Sequence, residues 1–142
     1  MKYNKSDSDS DSVFIDRLVN EWVSHKEIII ACDFDDTISP FKMLDVDYLK
    51  RIQVIKEAQL VGATLIIWTS TTRDRYPYIL DYCKNNGLNV HSINTNKSGL
   101  KYGNEGKIYA NIYLDDRAGL TQSLKMLELA TSIIKHKQIN NK

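Results

Sequence analysis

"IIIACDFDDTI", Ile28–Ile38, passes from an apolar run straight into three carboxylates, Asp33, Asp35 and Asp36. The run is apolar on both faces, as suits a strand of a parallel sheet covered front and back. Acids crowded at the end of such an element repel one another and lose solvation. An ion or a reaction that uses them is expected at that point.

Working outward, the same grammar repeats. "ATLIIWTS" (Ala63–Ser70), Leu88–Ile93 and Ile108–Leu114 read as further buried strands. Between them lie helical patterns. One begins near Asp47, with Leu49, Ile52 and Ile55 on one side, and stops at Gly62; the other runs from Arg73 to Gly87 with Pro77 in its first turn. Phe14, Leu18 and Trp22 recur at helical spacing after Ser12, predicting a first helix to about His25. Leu120, Leu124, Leu127 and Ile134 predict a last helix over 120–136. Strands alternating with helices predict an α/β fold, a doubly wound parallel sheet of about four strands with helices on both faces. Residues 1–11, "MKYNKSDSDSD", are too polar to offset ordering entropy and are expected to be a disordered tail, leaving one domain over 12–138.

Composition sets bounds. A chain of 142 residues suits one domain with a real core. The formal net charge of +1 gives no whole-molecule attraction to nucleic acid or membrane, although Arg73, Arg75, Lys97, Lys101 and Lys107 could edge a crevice. No apolar run is long enough to span a bilayer, and the opening residues do not read as a secretory leader. Cys32 and Cys83 form no disulfide framework, so reduced thiols in a cytoplasmic protein are expected. His25, His91 and His136 have no ligand spacing.

In open parallel sheets, reactive groups gather at the carboxyl ends of the strands. Those ends carry Asp33 and Asp35, then Thr69 and Ser70, then Asp115 and Asp116, with Lys107 just before the fourth strand. Hard oxygen donors at one place suit Mg²⁺. Asp33 and Asp35 are one residue apart, so extended backbone puts both on one side and turns Phe34 into the core. One carboxylate could attack phosphorus while the other protonates the leaving oxygen. Thr69 and Ser70 could donate to phosphoryl oxygens, and Lys107 could offset their charge. Lys97 is the rival for that last role.

"DFDDT", Thr69 at the end of an apolar strand, Lys107 and "IYLDD" resemble, in order, the four motifs of the haloacid dehalogenase-like hydrolase superfamily, in particular its short members of bacterial and phage type. The likeness spans about Ile28–Arg117. It implies Asp33 as the nucleophile and a Mg²⁺ ligand, and Asp35 as the general acid and base, touching the metal through its carbonyl. Thr69 would bind phosphate, Lys107 would hold the nucleophile and phosphate together, Asp116 would ligate the metal directly and Asp115 through water. Asp35 points to phosphate rather than halide chemistry, because dehalogenating relatives lack an acid there. Two departures stand out: Asp36 occupies a position where glycine is common, and Arg73 follows Thr69 by four positions where relatives often place an arginine at two.

The segments around Ile38–Leu49 and before Lys107 leave no room for a cap domain. The expected activity is phosphomonoester hydrolysis at an open site, on a metabolite, a nucleotide or a macromolecular phosphate end, with a neighbouring subunit as a conceivable lid. Two other classes compete, a receiver-like phosphate sensor and an inactive binding relative. The lifetime of a phosphorylated state separates sensor from enzyme.

Overall fold

The computed structural model describes residues 5–103 and 105–141. The elements in order are α1 (Lys5–His25), β1 (Ile28–Cys32), α2 (Tyr48–Leu60), β2 (Ala63–Ile67), a 3₁₀ turn (Arg73–Arg75), α3 (Tyr76–Asn85), β3 (Val90–Ile93), β4 (Ile112–Leu114) and α4 (Leu120–Asn140). The strands form one four-stranded sheet, β3-β2-β1-β4, with every pairing parallel. The chain therefore steps from β1 outward to β3 and returns to the other side of β1 as β4. This is the order of a doubly wound, Rossmann-like core, and its switch point lies between β1 and β4.

All five residues of β1 are buried. Ile28, Ile30 and Cys32 point into the main core with Leu65 and Ile67 of β2, and all four helices bring their buried residues there: Leu18 and Trp22, Ile52 and Ile55, Ile79 and Cys83, Leu127 and Ile134. Each fully buried isoleucine or leucine contributes about 1.5–3 kcal/mol. Asp47 caps α2 by accepting from the Lys50 amide at 3.1 Å. Cys32 and Cys83 are free and buried, and burial pushes the Cys83 thiol up to about 11.

The opposite face departs from expectation. Ile29 and Ile66 meet Ile108, with Trp68, Leu100 and Tyr109 packed around them, so the connection from β3 to β4 covers this face where a helix was expected. That connection is rich in asparagine and glycine, and asparagine side chains hold it. Asn96 donates to the Gly103 carbonyl at 2.6 Å and accepts from the Tyr109 amide at 2.9 Å. Gly103 has φ +86°, and a Cβ there would lie 2.3 Å from the Asn96 amide nitrogen. The same bonds shorten the fourth strand, expected from Ile108. Asn111 takes the Ile29 amide on its side-chain oxygen at 2.7 Å and gives its own amide to the Ile29 carbonyl at 2.9 Å, so the regular ladder begins only at Ile112.

The first helix also differs. It begins at Lys5, taking in residues 5–11 of the stretch read as a disordered tail, while Met1–Asn4 lie outside the described residues. Propagating a formed helix fixes one residue per hydrogen bond and is far cheaper than nucleating one. At the other end α4 runs to Asn140, past the expected stop near His136. Among the described residues, no helix is long and apolar enough to cross a membrane.

Leu127 is fully buried, whereas Leu129 of the same helix is 43% exposed. Leu127→Ala is expected to cost about 2–5 kcal/mol in urea unfolding, and Leu129→Ala about 0.5 kcal/mol or less. Equal losses would contradict this packing.

Candidate metal centre and acidic crevice

The ends of β1 and β4 are tied together by backbone. The Asp33 amide donates to the Leu114 carbonyl at 2.8 Å, continuing the parallel ladder one residue past β1. This brings Asp33 against Asp115 and Asp116, and one carboxylate oxygen from each lies within 4.8 Å of the others. Thr37 joins the two halves: its hydroxyl lies 2.7 Å from Asp33 Oδ2 and 3.2 Å from Asp116 Oδ1, and it accepts from the Asp116 amide at 3.0 Å. Asp115 accepts from the Arg117 amide at 2.9 Å, which turns the chain away toward α4.

Electrostatically this arrangement is costly for Asp33. Burial, then a hydrogen bond shared with Asp116 and repulsion from Asp115 and Asp116, raise its pKa from 3.8 to about 7, with the Thr37 hydroxyl opposing. A bound cation would relieve that cost. The donor set is all oxygen, without imidazole or thiolate, and oxygen sites of this kind suit Mg²⁺. The residues present therefore fit the ion.

Asp36 does a different job. Its backbone is left-handed, with φ +61°, a conformation open to glycine and tolerated by Asp. Its Oδ1 accepts from the amides of Phe41, Lys42 and Met43 at 3.0, 2.8 and 2.9 Å. Those bonds, the one from Met43 foremost, hold its carboxyl below the ordinary range. Arg51 of α2 braces the same turn from below, donating to the carbonyls of Asp36 and Thr37 at 3.0 and 3.1 Å. The flap after Thr37 is thus a built loop, and it presents Phe41, Met43 and Leu44 to solvent.

From β2 come Thr69 and Ser70. Asn94, at the end of β3 with φ +56°, accepts from the Thr69 amide at 2.8 Å and donates to its carbonyl at 2.7 Å, clamping the turn at both ends. The Thr69 hydroxyl accepts from the Thr71 amide at 3.2 Å, which leaves its own proton to be donated.

A crevice of about 280 Å³ brings Asp33, Asp35, Thr69, Ser70, Asp115 and Asp116 together, with Phe41, Trp68, Lys42 and Arg117 along its walls. Phe34 turns inward, fully buried, with its ring edge-on to Tyr82 at 5.3 Å. A larger hollow of about 450 Å³ beside α1, lined by Phe14, Arg17, Tyr109 and Met126 among others, has no comparable group of acids among its lining residues.

Lys107 does not join them. It is exposed, its ammonium 5.2 Å from the centre of the Tyr113 ring, because β4 starts at Ile112 and the residues before it are pinned over the sheet face by buried Ile108. Lys97 pairs with Glu27, beside the start of β1 and away from the strand ends that carry the acids. The cations at the crevice are Lys42 and Arg117, together with Arg75, which grips Asp35 by two nitrogens at 2.7 and 3.0 Å. Arg75, already one of the cations expected at the crevice edge, closes the 3₁₀ turn just ahead of a Pro-led helix, which is the signal that could have set it apart from Arg73. Thr37 and Asn94 were equally open to notice, as the last residue of "DFDDT" and as an Asn ending a strand.

Fold and site together define an α/β protein whose acidic crevice can hold a metal ion. Among solved structures the chain is similar to the conserved protein from Bacteroides thetaiotaomicron, at 23% identity and TM-score 0.59, over 78% of this chain and 92% of that one. At this identity the likeness shows the fold alone. No family model and no curated protein matches the chain.

Because the native protein keeps a proton on Asp33 up to about pH 7 and the unfolded chain loses it near 3.8, the folded state binds more protons between those values. Stability of the metal-free protein is therefore expected to fall as pH rises through that window. In EDTA, Asp33→Asn is expected to raise Tm relative to wild type at pH 8 and to show little difference at pH 4. Mg²⁺ is expected to raise the wild-type Tm at pH 8 and leave the variant's nearly unchanged.

Proposed function

We propose that this protein is a Mg²⁺-dependent phosphomonoester hydrolase of the haloacid dehalogenase-like type, working through an aspartyl-phosphate on Asp33. The observation that carries the reading is the convergence of Asp33, Asp115 and Asp116 at the β1–β4 switch point, with Asp35 and Thr69 in the same crevice.

Asp33, Asp116 and Asp115 would hold the ion, which when bound supplies positive charge against the phosphoryl oxygens and the acids around them. A carboxylate oxygen of Asp33 attacks phosphorus as the bond to the leaving oxygen breaks, and Asp35 gives that oxygen a proton. Water then attacks the phosphorus of the aspartyl-phosphate, returning a proton to Asp35 and releasing phosphate. The Thr69 hydroxyl and the Ser70 side chain orient the phosphoryl oxygens. With Lys42 and Arg117 lining the crevice and Lys107 not among its lining residues, Lys42 and Arg117 would offset the growing negative charge.

Substrate class follows from access. Among the described residues no second domain stands over the crevice, and the flap reaches its wall through Phe41 and Lys42. The reading thus includes phosphomonoesters whose remainder extends beyond the pocket.

With Mg²⁺, 4-nitrophenyl phosphate is expected to be hydrolysed, and Asp33→Asn is expected to lower turnover by about 10³-fold or more with its fold intact by circular dichroism. An Asp33→Asn protein turning over at the wild-type rate would rule the mechanism out. A wild-type phosphoprotein persisting for minutes without turnover would favour the sensor.

A further inference from the structure

The two acids of "DFD" have opposite surroundings. Asp33 faces Asp115 and Asp116, whereas Asp35 faces a guanidinium: Arg75 Nη1 donates to Oδ2 at 2.7 Å and Nη2 to Oδ1 at 3.0 Å. Carboxylates placed in contrasting environments are suited to contrasting roles. A two-point fork of this kind fixes the plane of a carboxylate as well as its charge.

The arginine is itself held. Nη1 gives a further bond to the Thr71 hydroxyl at 3.1 Å, and the rings of Phe41 and Tyr78 lie 5.8 and 5.9 Å from the guanidinium carbon. Its backbone closes the 3₁₀ turn through a bond to the Thr72 carbonyl at 3.1 Å, and Pro77 fixes the first turn of α3 that follows. Next to it, the Tyr76 hydroxyl accepts from Asn94 at 3.1 Å, the residue that clamps Thr69. Both hydrogens of Nη1 and one of Nη2 are thus directed to protein groups, so Arg75 is engaged with Asp35 before any substrate arrives.

We propose that Arg75 is the positioning residue for Asp35, holding its carboxylate oriented for proton delivery to the leaving-group oxygen; this rests on the reading of Asp35 as the proton donor. When Asp35 carries the proton, one oxygen keeps a bond from Arg75 while the O–H turns to the leaving oxygen. As the phosphorus–oxygen bond breaks the proton moves to that oxygen, and the ionised carboxylate regains both bonds until the attacking water returns a proton. Arg75 acts through Asp35 and has no contact of its own with phosphate in this scheme. A Lys at this position would supply charge without the fork.

The test compares two esters in Mg²⁺, 4-nitrophenyl phosphate, whose leaving group departs without much help, and glycerol phosphate, whose alkoxide needs a proton. Arg75→Ala is expected to lower kcat on glycerol phosphate by about 10–100-fold and on 4-nitrophenyl phosphate by less than about threefold, with KM nearly unchanged on both. In an Asp35→Asn background it is expected to add no further loss. Arg75→Lys is expected to show the same split, and carries the test if thermal unfolding shows that the alanine variant does not fold. Equal losses on the two esters, a raised KM at unchanged kcat, or a further loss beside Asp35→Asn would overturn the proposal. Wild-type protein releasing phosphate from neither ester would remove the phosphatase reading, and the proposal with it, before any variant is made.

Discussion

The parallel pairing of β1 with β4 is the constraint on which the rest depends. It places the Asp33 amide under the Leu114 carbonyl at 2.8 Å, so the residues that follow the two strands leave the sheet side by side. The acids then have no means of separating. Their repulsion is met locally by Thr37, and the remaining cost is borne by Asp33, whose proton is held to about pH 7. Stability gained from the buried isoleucines of β1 keeps in place a group that on its own would prefer water. Sites that gather charge this way are often functional, because a substrate or ion can return what the fold gave up.

Around that pair the protein assigns one side chain to each loop. Asp36 gathers three amides and fixes the flap, Asn94 clamps the turn at Thr69, and Arg75 grips Asp35. All three are polar residues whose hydrogen bonds run to neighbours in the crevice walls, so the rim is shaped before anything binds. Preorganisation of this sort lets binding energy act on the reacting atoms instead of on ordering the protein.

Much of the fold was legible because buried parallel strands announce themselves: Ile28–Cys32 and Ala63–Ile67 are near-continuous apolar runs, and their ends were in view with them. Pro77, Gly62 and Asp47 bounded helices as their chemistry requires. The β3–β4 connection reads as a polar loop over 94–106, but where the fourth strand begins after it was not legible. Ile108 and Tyr109 look like the start of a strand, and only in three dimensions does Asn96 take the Tyr109 amide and the Asn111 side chain the Ile29 amide. Lys107 lies off the crevice lining for the same reason, since its expected place depended on where the fourth strand began. Arg75 was legible only as one of several cations that could edge a crevice; its grip on Asp35 was not, because a contact forty residues apart in sequence leaves no periodic trace.

The sheet ends in strands of four and three residues, β3 and β4. Edges are where a sheet offers unsatisfied amides and carbonyls to a stranger, and short ones offer few. By letting the Asn111 side chain take the Ile29 amide just before Ile112, the chain trims the outer border at the starting end of β4, opposite the end that carries the acids. So brief a border gives a foreign strand little to zip against, which discourages fibril-like association.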